Sequence, residues 1–488
     1  MFLGVAILPL YVRFLGAEAY GLVGLYATLA VICSLFDAGI SASLGRELAR
    51  ANAGDAPGRQ IAELVRTAEV LYVAIGLVLG ALIAAAAPLI VTKWLNLKTL
   101  SADDAIRAVR LMGIYFVFQW SMGIYAAGLS GLQKQVELNI VNSIGSTFRA
   151  VGAVVVLWKI SPTAVAFYCW QVVATALYTV AIREVLWRDR GINRNDAAFK
   201  WTVASQVRGF AGGITLLSML SVMVSQLDKV VLTRLVSLES FGYYSFATSV
   251  AGAVTFFGQS ILTATYPAMI EAFSRRDEAR LTYLFHRAAQ LVSLTIFAPA
   301  AVLCAFAPIV LRLWARDPAT VANASTLVSA CLAGAALNGV AVIPYSLSLA
   351  AGRVRPAMMA AASGALIYAA VLAFLAPRFG VLSGAVGSAF VNLAGLLVYA
   401  RWAVKPLLPG HARRWLVTDL LVPLSTAGAV ASLARAAVSP SASQHGQAAG
   451  LFLASFVTLV CTALATPAAR HEVASRMQAL RSRSTRLF

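Results

Sequence analysis

The sequence predicts an all-α polytopic membrane protein of about fourteen transmembrane helices, arranged as two parallel six-helix repeats followed by two extra C-terminal helices. Three observations carry this. Of the 488 residues, 60% are hydrophobic and 12% charged, with a mean hydropathy of +0.79, whereas about a quarter of an ordinary soluble protein is charged. Apolar runs of about 20 residues, enough for a helix to cross a hydrocarbon core of about 30 Å, recur along the whole chain. The chain also repeats itself: at an offset of about 221 residues, Arg13, Glu18, Tyr20, Gly21 and Leu25 fall on Arg234, Glu239, Phe241, Gly242 and Phe246.

The offset holds elsewhere. Gly131 and Lys134 fall on Gly352 and Arg355, and Ala164, Gln171 and Tyr178 on Ala385, Asn392 and Tyr399. Shifted by one residue, Ala87, Pro88 and Trp94 fall on Ala307, Pro308 and Trp314.

In chain order the first repeat has spans at 1–16, 21–44, 67–92, 108–131, 139–159 and 162–185. The second has 209–236, 241–266, 286–312, 324–350, 356–377 and 381–403, and the extra pair lies at 416–437 and 449–467. The domains expected are therefore a six-helix bundle over 1–190, a polar linker over 191–208, a second bundle over 209–405, two additional spans over 406–468, and a basic tail over 469–488. An even number of spans per repeat makes the two copies enter the membrane the same way up, a transporter architecture.

The net charge of +19 could mark a nucleic-acid binder, but its distribution argues for topology. Arg46, Arg50, Arg59 and Arg66 follow span two; Arg183, Arg188, Arg190, Arg194, Lys200 and Arg208 follow span six; Arg275, Arg276, Arg280 and Arg287 follow span eight. Arg401, Lys405, Arg413 and Arg414 follow span twelve, and Arg470, Arg476, Arg481, Arg483 and Arg486 form the tail. These are alternate loops, so both termini are expected in the cytoplasm, with Arg194 and Arg481 inside and His445 outside. No cleavable signal peptide is visible. Span one is short, and an upstream extension of about a dozen apolar residues is expected to complete it.

Cys33, Cys169, Cys304, Cys331 and Cys461 stand singly in apolar runs and read as small core residues; His286, His411, His445 and His471 are dispersed, so no metal centre is expected. With no P-loop or nucleotide domain, no cofactor and no enzymatic chemistry are expected. Uphill movement would have to borrow an ion gradient or the substrate's own.

The candidate site residues are the polar groups inside spans. Asn139, Asn142, Ser146 and Arg149 recur three or four apart on span five, within roughly an 80° sector of a helix. Arg149 would cost about 2.5 kcal/mol or more facing lipid, so it is expected to face protein, either lining a substrate cavity or pairing with a carboxylate. Span two carries Ser34, Asp37 and Ser41 at helical spacing, and span seven carries Gln226, Asp228 and Lys229. Asp228 and Lys229 are adjacent, so they need not neutralise each other. Asp37 or Asp228 reads either as a carrier of a coupling ion or as half of a structural pair. Arg13 and Arg234 read as snorkelling residues near short turns, Gly352 with Arg353 and Arg355 as a turn, and Pro344, near Asn338 and Tyr345, as a break in span ten.

Pro9, Tyr11, Arg13, Phe14, Leu15, Gly16, Glu18, Tyr20 and Gly21, then Asp37, Gly39, Arg46, Glu47, Leu48 and Ala49, resemble the opening of Wzx-type polysaccharide flippases of the multidrug, oligosaccharidyl-lipid and polysaccharide exporter superfamily. The resemblance continues through Gly131, Leu132, Gln133 and Asn139, through Asp228, Lys229, Gly242 and Tyr244, and through Ala351, Gly352, Arg353, Phe379, Gly380 and Gly384. It implies alternating access around a cationic cavity and a polyprenyl-pyrophosphate-linked oligosaccharide turned from the cytoplasmic to the periplasmic leaflet of a bacterial inner membrane. It also implies membrane lipids, a polysaccharide polymerase and a chain-length regulator as partners. On this reading Arg149, Asn142, Ser146, Asn139 and Lys229 bind substrate, and Asp37 and Asp228 couple an ion. A lipid II flippase shares the fourteen-span plan, a drug antiporter of the superfamily usually has twelve spans, and a membrane polymerase or ligase would need a sizeable outer loop with catalytic groups.

Overall fold

Helix follows helix in the computed structural model, which describes residues 2–37, 39–54, 58–188, 197–202, 215–439 and 443–470; among them the only bridge of β type joins Asn96 and Ser237. In chain order these are α1 (Phe2–Cys33), α2 (Ile40–Ala53), α3 (Gly58–Leu89), α4 (Ala102–Gly131), α5 (Gln135–Lys159), α6 (Ala164–Trp187), α7 (Thr215–Leu235) and α8 (Leu238–Ser274). Then come α9 (Glu278–Ala305), α10 (Ala307–Trp314), α11 (Pro318–Ala350), α12 (Arg355–Phe379), α13 (Leu382–Tyr399), α14 (Val422–Ala437) and α15 (Gln444–Ala465).

Eleven helical segments among the described residues are long and apolar enough to cross a membrane, against the fourteen read from the sequence. The protein is a multi-pass membrane protein. The run at 1–16 and the larger part of that at 21–44 fall in one segment, Leu3–Asp37, because helix resumes directly after Gly16, and the rest of the second run belongs to α2. Gly16 sits at φ 79° and ψ 160°, a backbone state that glycine alone adopts without penalty, so the chain redirects there without a loop. Neither α4 nor α7 is among the eleven. The first turns of α4 hold Asp103, Asp104, Arg107 and Arg110, whose charges suit a membrane boundary. Span ten is not broken: α11 runs unbroken from Pro318 to Ala350, with Pro344 buried inside it. Gly352 turns the chain at φ 67°.

The chain divides into two compact units, Met1–Ser245 and Phe246–Phe488, so α7 and the first residues of α8 belong with the first. In that unit α4 packs on α2, α3 and α6, while α5 packs on α1 and α6, and α7 on α1. In the second unit α9 packs on α11, α14 and α15, and α13 joins α11 to α12. An apolar group of Val302, Phe306, Ile309, Ala431 and Ala454 fastens the extra pair α14 and α15 to α9 and α10.

The duplicated motifs meet inside the first unit. A Cβ on Gly242 would stand 1.8 Å from the carbonyl oxygen of Ala17, and one on Gly21 would stand 2.5 Å from that of Leu238. Ala17 and Leu238 are themselves equivalent at the repeat offset, so the two contacts are reciprocal, as in a two-fold interface. A Cβ on Gly24 would meet Ser245 Oγ, its own equivalent, at 2.0 Å. Two helices can approach this closely only where both lack side chains.

The equivalent glutamates converge on one loop. The buried carboxylate of Glu18 accepts from the backbone nitrogens of Lys98 (2.5 Å), Thr99 (2.8 Å) and Leu100 (3.1 Å) and from Thr99 Oγ1, while Glu239 Oε2 pairs with Lys98 Nζ at 3.1 Å. Asn96 Nδ2 donates to Arg234 O at 2.9 Å, and the Arg234 guanidinium lies 5.6 Å from the Trp94 ring. Arg234 is thus held over an aromatic ring.

At 197–202, the part of the linker that is described, Lys200 Nζ pairs with Glu63 Oε2 at 2.7 Å and Lys200 N donates to Thr67 Oγ1 at 3.1 Å. The linker is tied to α3 there. Nearby, Glu69 accepts from Arg66 Nη1 (2.8 Å), Tyr125 Oη (2.7 Å) and Arg183 Nε, so Arg66 and Arg183 share this carboxylate, and Arg183 Nη1 also lies 3.4 Å from Glu184 Oε1. Arg194 and Arg481 lie outside the described residues, and His445 is exposed at the start of α15.

Candidate functional site

The polar stripe of span five lies on α5, and tertiary packing divides it. Asn139 is exposed, and Ser146 Oγ turns back to Ser143 O of its own helix at 3.3 Å. Asn142 and Arg149 face neighbours. Asn142 Oδ1 accepts from Tyr178 Oη of α6 at 2.5 Å, and the Tyr178 ring covers Gly145, halfway between them.

Arg149 Nη1 donates to Gln119 Oε1 at 2.6 Å and to Tyr115 Oη at 3.0 Å, both on α4. Both acceptors are neutral, and among the described residues no carboxylate pairs with the guanidinium. A guanidinium has five N–H donors, so Nε and Nη2 keep capacity for an anion. Tyrosines fill the surroundings: the rings of Tyr26 and Tyr115 are 4.4 Å apart, and Tyr168 lies 6.3 Å from Tyr26 and 6.4 Å from Tyr115. Two further side chains hold the α5 backbone at this level. Trp170 Nε1 donates to Arg149 O at 3.0 Å, and Tyr11 Oη donates to Ala150 O at 3.0 Å. The cation itself is held by α4, while α1 and α6 hold the α5 backbone that carries it.

Ser34, Asp37 and Ser41 do not share a helix face. A tight helical turn covers Ser34–Asp37, the chain turns at Gly39 with φ 81°, and α2 begins at Ile40. Asp37 caps that start: Oδ1 accepts from Ser41 N at 3.1 Å and from Tyr72 Oη at 2.7 Å, and Oδ2 accepts from Ser41 Oγ at 2.8 Å.

On α7, adjacency does not keep Asp228 and Lys229 apart. Lys229 Nζ comes within 3.8 Å of Asp228 Oδ1 while donating to Ser225 O at 2.9 Å. Asp228 is buried, its Oδ2 accepts from Tyr244 Oη, and its Oδ1 has no hydrogen bond among the described residues. The carboxylate needs the tyrosine because an ion pair at that distance does not satisfy it.

Gln119, Tyr115 and Tyr178 complete the Arg149 site and are not among the predicted site residues, although Tyr178 marks the repeat and Gln119 is a polar residue within an apolar run. The histidines are not all dispersed. In the second unit, His286 Nε2 lies 2.9 Å from His411 Nδ1, and His286 Nδ1 bonds Asp419 Oδ2. Among the described residues no group of three or more His, Cys, Asp and Glu could hold a metal ion. A cavity of about 430 Å³ also lies in the second unit, lined by Phe297, Cys304, Leu332, Leu337, Leu424 and other mostly apolar side chains. It does not include any of the predicted site residues.

Residues 1–273 match a family described as “Polysaccharide biosynthesis protein”. A Shigella flexneri protein described as “Putative O-antigen transporter” is 20% identical over 416 residues, covering 84% of this chain and 92% of that one. Among solved structures, an inward-facing multidrug resistance MATE transporter of the MOP superfamily superimposes with a TM-score of 0.70 at 13% identity, covering 84% of this chain and 95% of that one. The lipid II flippase MurJ, in an inward closed conformation, gives 0.69 at 12% identity, covering 94% and 96%. The fold is shared with both.

Proposed function

The chain belongs to the polysaccharide biosynthesis protein family, and from that membership we propose that it is a transporter that turns a polyprenyl-pyrophosphate-linked oligosaccharide from the cytoplasmic to the periplasmic leaflet. The repeats, 1–190 and 209–405, work by alternating access, with both termini cytoplasmic. The chain carries out no covalent chemistry on its cargo.

One observation carries the reading: Arg149, within the helical bundle, has neutral hydrogen-bond partners and no carboxylate among the described residues. A cation held this way keeps its charge for a visiting anion, and a pyrophosphate offers oxygens at the spacing a guanidinium fork can engage. Asn142, held by Tyr178, offers its amide nitrogen to the same ligand, with Ser146, Asn139 and Lys229 as further polar contacts along its path. Asp37 and Asp228, each bonded to a tyrosine, carry the coupling ion; protonation of either would alter the bond that holds it.

Arg149→Ala should abolish glycan export while the protein still inserts and accumulates, because its removal strands no carboxylate. Arg149→Lys should restore part of it, keeping charge but losing the planar fork. Export complementation read beside an immunoblot decides this. Full export by an abundant Arg149→Ala protein would overturn the assignment.

A further inference from the structure

The extra helices are fastened to α9 at two levels of opposite chemistry. One is the apolar group around Phe306, Ala431 and Ala454. The other is a polar chain. Ala468 N donates to Gln290 Oε1 at 2.7 Å, Gln290 Nε2 donates to Asp419 Oδ1 at 2.7 Å, Asp419 Oδ2 meets His286 Nδ1, and His286 Nε2 meets His411 Nδ1 at 2.9 Å. Asp419 is 0% exposed, Gln290 3% and His286 5%, whereas His411 is half-buried. His411 and Asp419 belong to the segment entering α14, His286 and Gln290 to α9, and Ala468 follows α15. One line of hydrogen bonds therefore ties three helices.

Its proton capacity can be counted. Ala468 offers only a donor, so the Gln290 oxygen faces it and the Gln290 amide nitrogen faces Asp419. The Asp419–His286 link and the His286–His411 link each hold one proton between their two atoms. A third proton sits on the outward Nε2 of His411. With two protons the Asp–His–His set carries one negative charge, and with three it is neutral. A fourth has no place in the line: in either link it sets two hydrogens against each other, turning the Gln290 amide to accept it sets a nitrogen against Ala468 N–H, and on a spare lone pair of the fully buried Asp419 it is a donor with no acceptor among the described residues.

We propose that His411, His286 and Asp419 form a proton-binding site that fastens the C-terminal helix pair to α9, and that a surplus proton entering through His411 breaks this fastening. The sign follows from the count: the closed chain binds fewer protons than the opened one, so closure prevails at higher pH and is lost as pH falls. Among the described residues the charges around the site are few. The helices α11 and α15 contain no Asp, Glu, Lys or Arg, and His445 of α15 lies at that helix's far end. Arg435 of α14 and Arg312 of α10 lie toward the apolar end, where Arg435 is 5.9 Å from the Phe306 ring. Arg414 is near His411, Arg413 adjoins it, Arg287 is bonded to Tyr283 Oη at 3.0 Å, and Arg470 follows Ala468. These cations disfavour the surplus proton.

The site is independent of the proposed cargo, and its test uses none. Amide hydrogen exchange of the full chain in lipid nanodiscs is measured at about pH 5 and about pH 8, the range over which imidazole titrates, with rates corrected for intrinsic exchange. Peptides covering 411–421 and 466–470 should open at least about fivefold more readily at the lower pH, as expected for losing a buried hydrogen bond, while Val422–Ala437 stays unchanged. His411→Gln keeps a donor and an acceptor but cannot take the proton, and should abolish the step while remaining protected at both values. Should it not accumulate, His411→Asn is read the same way. His445→Gln should keep the step. No step in the natural protein, a step surviving substitution of His411, or a step lost in His445→Gln would overturn the proposal. Export by the Arg149 variants is a separate measurement, so this site and the proposed cargo can fail independently.

Discussion

The two repeats differ most where the first is most polar. On α5 the first carries Asn139, Asn142, Ser146 and Arg149, with Tyr115 and Gln119 opposite on α4. At the repeat offset the second has Ala360, Ser363, Ile367 and Ala370 on α12, with Ala336 and Val340 on α11. The cation and both its acceptors are replaced by apolar residues together. Where the motifs pack on each other, the opposite holds: Gly21 and Gly242 meet reciprocally, and Glu18 and Glu239 serve one loop. Contact between copies demands matching shapes on both sides, whereas the proposed anion site needs only one cation. That difference in constraint explains which half of the pattern survives.

The largest expected effect comes from moving the charge across the comparison. Arg149→Ala combined with Ala370→Arg should leave export absent, because position 370 lacks the neutral acceptors and an arginine facing lipid costs about 2.5 to 3.5 kcal/mol. Export complementation with an immunoblot measures this; restored export would show that the two repeats are interchangeable. Next is the seam. Gly21→Ala or Gly242→Ala should each destabilise by about 3 kcal/mol or more in thermal unfolding, since the carbonyls in the way are backbone and cannot swing aside. Gly252→Ala, where nothing lies within 4 Å, should change stability by less than about 1 kcal/mol and gives the baseline. Equal effects at positions 242 and 252 would show that the close approach at Gly242 carries no special stability.

The glutamates should part company despite their equivalence. Glu18→Gln weakens a buried carboxylate that accepts from three backbone amides and should cost about 2 kcal/mol. Glu239→Gln removes an exposed ion pair and should cost under about 1 kcal/mol, with its effect reduced in high salt. Unfolding in low and high salt separates them. Tyr115→Phe, which takes one neutral acceptor from Arg149, should cost about 0.5 to 1.5 kcal/mol with export retained. Loss of export would show that Gln119 alone does not hold Arg149 in place for transport.

The proposed site is only half legible in the residue order. Spacing put Arg149 and Asn142 on one side of a helix, and both do find tertiary partners on neighbouring helices. The same spacing gave no warning that Ser146 bonds its own backbone, nor that a turn at Gly39 separates Asp37 from a helix it was expected to share with Ser41. Adjacency suggested that Asp228 and Lys229 diverge, yet a flexible lysine stem brings its ammonium back. Periodicity describes the start of each side chain, and long side chains decide their own ends.

Sequence alone was enough to determine the class of molecule, the duplication and the resemblance, because hydropathy, run length and an offset of about 221 residues are properties of order along the chain. The tertiary structure alone decided which polar groups meet. Arg149 finds Gln119 thirty residues away, Tyr178 finds Asn142 thirty-six away, and His286 finds Asp419 at a separation of 133. In an apolar interior a polar side chain must find a partner or pay the full cost of desolvation, but nothing in its own neighbourhood along the chain says which helix will supply one.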